Sequence, residues 1–96
     1  MKREEVTALI AKHRLELKRL DVKSLALFGS VVRDEARPDS DVDFIVEFEG
    51  KATFDGYMNV KQFLEKILGH RVDLVTRKAL RPRIRPRIEK EAVYVA

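Results

Sequence analysis

The chain has 96 residues, 45% hydrophobic and 38% charged, with a formal net charge of +4 and no cysteine. That length supports one compact domain over residues 1–96 and leaves no room for a catalytic domain plus a full substrate-binding domain, so anything larger must come from a partner. The lack of cysteine excludes a disulfide framework and a thiolate zinc centre, and confines any metal to oxygen or imidazole ligands.

From Arg3 to Leu20 the positions Val6, Leu9, Ile10, His13, Leu15, Leu17 and Leu20 recur mostly at three- and four-residue steps between Lys, Arg and Glu. This predicts a single amphipathic helix. Ser24 to Phe28 is short, apolar and closed by Gly29, the pattern of a buried strand. Ser30 then reads as the cap of a brief helix running through Val31, Val32, Arg33 and Asp34 towards Ala36, stopped by Pro38 and the Asp39-Ser40 pair. Asp41 to Phe48 alternates, with Val42, Phe44, Val46 and Phe48 on one face and Asp41, Asp43, Ile45 and Glu47 on the other, which predicts a second strand.

Gly50 to Gly56 reads as a loop or turn, followed by a helical stripe of Met58, Val60, Phe63, Leu64, Ile67 and Leu68 that ends at Gly69. Arg71 to Val75 is a third strand. Residues 79–92 mix Pro82 and Pro86 with arginines and predict an irregular approach to a short terminal helix at Ile88 to Ala92, after which Val93-Tyr94-Val95 tucks against the core. The elements together predict an α/β (α+β) domain, a small mixed twisted sheet flanked by helices. No stretch approaches the roughly 20 apolar residues of a membrane span, and the first residues lack the apolar region of a signal peptide. A cytoplasmic protein without a membrane partner is expected.

Chemistry concentrates between residues 29 and 43. Asp41 and Asp43 are two apart on a strand, so their carboxylates leave the same face at roughly 7 Å backbone separation. Two anions at that spacing repel, and a divalent cation between them favours both ionised forms; magnesium prefers such oxygen ligands. Asp73 on the next strand can join them if the two strands pair, giving three acids suited to a two-metal arrangement. The spacing alone also fits ordinary acids on a solvated strand edge. Upstream, Gly29 permits close backbone approach, and the first amides of a helix, with the Ser30 hydroxyl, offer donors to phosphate oxygens. Ser30 also fits a plain helix cap. Arg33, one turn on, reaches towards the same phosphates, or else is a solvated arginine or a tether for Asp41 or Asp43.

Gly29-Ser30, ten intervening residues and Asp41-Val42-Asp43 resemble the GSx10DxD signature of the DNA polymerase beta-like nucleotidyltransferases. The segment GSVVRDEARPDSDVDFIVEF is similar to their minimal nucleotidyltransferase (MNT, MntA-like antitoxin) subgroup, and the resemblance spans roughly residues 20 to 96. It implies the nucleotidyltransferase fold, metal ligation and catalysis by Asp41, Asp43 and Asp73, and nucleotide-phosphate contacts at Gly29, Ser30 and Arg33, with Mg²⁺ as cofactor and ATP as co-substrate. It further implies transfer of AMP to a tyrosine hydroxyl of a HEPN-domain toxin held in a hetero-oligomer. One departure stands out: Asp34 occupies a position where relatives often carry glycine.

Seven basic residues and one acid between Arg77 and Lys90 give that segment +6, which leaves about −2 for the rest of the chain. Its arginines at 81, 83, 85 and 87 suit RNA phosphates, an acidic partner or plain solvation, and no aromatic residue interrupts the run to stack on bases. His13 reads as a half-buried packing residue, and His70 has no second histidine at metal spacing. Tyr57 and Tyr94 read as packing residues, with base stacking an alternative for Tyr57. Two readings compete with the enzyme: a non-catalytic antitoxin that neutralises its partner by covering it, and a basic RNA-binding module.

Overall fold

The computed structural model describes residues 1–96. Strands β1 (Val22–Phe28), β2 (Val42–Phe48), β3 (Val72–Thr76) and β4 (Val93–Tyr94) form one sheet in the order β3-β2-β1-β4. β2 pairs antiparallel with β1 and parallel with β3, and β4 lies antiparallel on the free edge of β1. The parallel pair needs a crossover, and helix α3 (Phe54–Leu68) supplies it. The mixed sheet flanked by helices is the expected architecture.

The sheet's two faces differ. Leu25 and Leu27 of β1, Val42, Phe44 and Val46 of β2, and Val72 and Leu74 of β3 join Val6, Ile10, Leu17, Val60, Leu64 and Leu68 in the main core. α3 meets it with a 3.6-residue stripe, starts at Thr53, whose hydroxyl accepts from the Gly56 amide, and ends at Gly69 in the left-handed conformation. The opposite face carries Ala26 and Ile45, covered by Leu80, Ile88 and Ala92 from the C-terminal segment that includes α4 (Arg85–Glu91). Asp43 and Asp73, one residue off the core-facing positions, therefore lie on this second face.

Four sequence expectations change. The first helix breaks at His13 into α1 (Arg3–Lys12) and α2 (Arg14–Arg19), and Leu15, assigned to its apolar stripe, is 69% exposed. No glycine or proline marks that break. His13 packs edge-on against Phe63, as a packing residue should. β1 begins two residues early because a bulge between Val22 and Ser24 resets the alternation, leaving Lys23 exposed while Val22 is buried. α3 begins inside the expected loop, so Gly56 sits in its first turn. The C-terminal residues do more than tuck in: they add β4, and Val95 and Ala96 exchange backbone hydrogen bonds with Leu25.

No helix is long and apolar enough to cross a membrane. Phe44 is fully buried at the sheet's centre, so Phe44→Ala should cost about 3–5 kcal/mol, while Leu15→Ala should change stability by less than about 0.5 kcal/mol. Urea unfolding midpoints of the two variants check both.

Candidate active site

β1 ends at Phe28, directly opposite Asp43 of β2, and Asp43 in turn lies in register with Asp73 of β3. Asp43 is thus flanked on both sides, by Gly29 as the chain leaves β1 and by Asp73. A Cβ on Gly29 would stand 2.2 Å from Asp43 Oδ2, and Gly29 has φ +80°. Glycine is demanded twice, by the carboxylate pressed against it and by its backbone conformation.

Three acids expected to act together are brought into mutual electrostatic range. The Asp43 carboxyl is pushed up to about 6, first by burial, then by the charges of Asp73 and Asp41 and a hydrogen bond with Asp73, against a smaller opposing pull from Arg33. The acids do not close into a preformed cage. Arg71 Nε stands 3.2 Å from Asp41 Oδ1, a partner that no local pattern singles out. As a donor set they fit a divalent cation: all are carboxylates, and a cation between them would relieve the mutual repulsion that adds to burial at Asp43.

The phosphate side differs from expectation in one respect. Gly29–Val31 forms a single 3₁₀ turn whose cap position is Phe28, so Ser30 lies inside the turn and does not cap a helix. The chain then turns at Asp34 with φ +56°, and the Ser30 carbonyl accepts from the Glu35 amide at 2.9 Å. That left-handed value explains why glycine suits this position: aspartate adopts it at a cost glycine avoids. Arg33 is paired with Glu35 at 3.2 Å and with Glu91 of α4, which together hold its guanidinium above the usual range, Glu35 contributing most. The expected tether to Asp41 or Asp43 is replaced by these two acids. Neither was visible as a site residue, since Glu91 is 58 positions away.

The remaining candidates fall elsewhere. Tyr57 donates its hydroxyl to the Leu74 carbonyl at 2.5 Å, the packing role expected of it. Arg77 bonds Glu89 and the Tyr94 hydroxyl, and Arg85 bonds Glu89, so part of the basic segment is spent holding α4 and β4 to the sheet. Arg81, Arg83 and Arg87 are exposed.

A glycine turn beside paired strand carboxylates is the arrangement that the GSx10DxD resemblance leads one to expect. The nucleotidyltransferase domain model matches residues 10–95. The protein adenylyltransferase MntA of Thermococcus cleftensis is 40% identical over 93 residues, covering 96% of this chain and 94% of that protein. A solved structure provisionally described as a minimal nucleotidyltransferase superposes with a TM-score of 0.84 at 38% identity, over 97% of this chain and 95% of that one. A tri-AMPylated Shewanella oneidensis HEPN toxin in complex with an MNT antitoxin shares the fold at TM-score 0.66 and 17% identity, over 94% of this chain and 71% of the matched one. The chain belongs to the nucleotidyltransferase family, a family of transferase enzymes, and within it to the minimal, MntA-like branch.

The raised Asp43 carboxyl fixes a sign. A group whose folded value lies above its unfolded value of 3.8 contributes stability below about pH 4 that is lost as pH rises through about 6. In EDTA the wild type should therefore lose thermal stability relative to Asp43→Asn across that interval, and the variant should melt a few degrees higher at pH 7. A separate calorimetric scan should show Asp34→Gly more stable by about 0.5–1 kcal/mol through relief of the left-handed strain.

Proposed function

We propose that the chain is a Mg²⁺-dependent protein adenylyltransferase and the antitoxin of a toxin–antitoxin pair, transferring AMP from ATP to a tyrosine hydroxyl of a HEPN-domain toxin with which it forms a hetero-complex in the cytoplasm. The observation that carries the reading is Asp43, pressed between Gly29 and Asp73 on paired strands with its carboxyl raised by burial and then by neighbouring anions. The adenylyltransferase name of the 40% identical relative supports the reaction. The AMPylated toxin bound to an MNT antitoxin supports the acceptor.

On this reading Asp41, Asp43 and Asp73 hold the metal, whose chemistry when bound is to neutralise charge on the α-phosphate and lower the pKa of the attacking hydroxyl. The missing side chain at Gly29 lets the triphosphate approach the backbone beside Asp43, with Ser30 adding a hydroxyl donor. Arg33 offers charge-assisted hydrogen bonds to phosphate oxygens. On the same reading Asp73, in register with Asp43, receives the acceptor hydroxyl's proton as the oxygen attacks the α-phosphorus and pyrophosphate departs. One domain over residues 1–96 carries all of this, and the acceptor comes from the partner.

Mixing the chain with the protein encoded beside it, ATP and Mg²⁺ should add AMP to that protein, seen by mass spectrometry and mapped to tyrosine. Asp41→Asn combined with Asp43→Asn should lower the rate at least 10³-fold, the scale of losing a metal's charge stabilisation. Unaltered transfer by the double variant contradicts the metal site. Neutralisation of the partner without any mass gain identifies a binding-only antitoxin instead.

A further inference from the structure

Arginine recognises phosphate best through two parallel N–H bonds from one edge of its planar guanidinium, and the group has two exposed edges for this, Nε with Nη2 and Nη1 with Nη2. In Arg33 each edge is already engaged. Nε donates to Glu35 Oε2 at 3.2 Å, and Nη1 donates to Glu91 Oε1. A phosphate therefore gains both donors of an edge only by displacing one carboxylate.

The two acids are not equivalent. Glu35 sits two residues away on an exposed turn, its side chain 65% exposed. The Glu91 side chain is 22% exposed and ends α4, which is anchored by Ile88 and Ala92 against Ala26, Ile45 and Leu80. The exposed Glu35 carboxylate yields easily and frees the Nε edge, but Glu91, carried on a packed helix, keeps the guanidinium tethered through Nη1, so the freed edge reaches a phosphate elsewhere only if that bond breaks or the helix moves. With both acids in place the cluster also carries one net negative charge towards an incoming polyanion.

We propose that Glu91 is a positioning residue that withholds Arg33 from the nucleotide, so that triphosphate affinity is set by α4 and binding loosens the helix's hold on the site. This rests on the reading that Arg33 contacts the triphosphate. The contact joins residues 58 apart, linking the C-terminal helix and β4 behind it to the Gly29–Asp34 turn. Because the pair is partly exposed, its effect is modest and weakens with salt.

Affinity for a non-hydrolysable ATP analogue with Mg²⁺, measured by calorimetry on the full chain, provides the test. Arg33→Ala should weaken binding about tenfold, Glu91→Gln should tighten it about three- to fivefold at low salt, and Glu91→Gln should have no effect in the Arg33→Ala background. An unchanged affinity in Arg33→Ala overturns the Arg33 contact itself. A loss in Arg33→Ala together with an unchanged or weakened Glu91→Gln overturns the withholding role alone. The wild-type protein gives a reading independent of any variant's folding: amides of α4 should exchange faster with the analogue bound, and unchanged or slower exchange overturns the coupling.

Discussion

The structure turns on one crowded carboxylate. Asp43 lies where three strands meet, with the chain leaving β1 against one side and Asp73 on the other. Each neighbour has a topological cause. The antiparallel pairing of β1 and β2 places Phe28 opposite Asp43 and so delivers Gly29 to its carboxylate, while the parallel pairing of β2 and β3 brings Asp73 alongside. A one-residue slip in either register would turn the acids towards the core and Phe44 towards solvent, so the hydrophobic pattern that fixes the fold also fixes the site.

The sheet separates these duties by face. Alternation sends Phe44, Val46 and Leu74 into a dry core beneath α1, α2 and α3 and sends the acids to the face that only the C-terminal segment covers. Besides its apolar contacts that segment is held by charge, through Arg77 and Arg85 on Glu89 and through Arg33 on Glu91. Exposed pairs of this kind stabilise weakly. The cover over the face that carries the acids is therefore held in part by contacts that salt weakens.

How far the sequence revealed this depends on whether the signal was periodic. β2, β3 and α3 carry alternation or a 3.6-residue stripe with clear ends, and Asp41, Asp43 and Asp73 follow once the strands are placed. The break at His13 has no proline or glycine to announce it; α2 departs from α1 to pack on β1, a tertiary cause. β4 is two residues long, and its partner strand is about 67 positions earlier, beyond any local pattern. The same applies to Glu91 and Arg71, which look like ordinary surface charges until folding sets them on Arg33 and Asp41.

The candidate site works against the stability of its own fold. Asp43 is half-buried among like charges, Asp34 holds a left-handed turn without being glycine, and Gly29 forgoes a side chain to admit a carboxylate. None of these choices improves packing. The main core compensates, since its sixteen buried residues are all apolar and no buried side-chain polar atom lacks a partner. Three local rules of good folding are broken within a single cluster at one end of the sheet, and a lesser departure, Asp21 at φ +62°, lies at the other end of β1. On the proposed function, a cation among the acids supplies the positive charge that Asp43 lacks, so the local conflict of the unliganded fold lies where the metal is to bind.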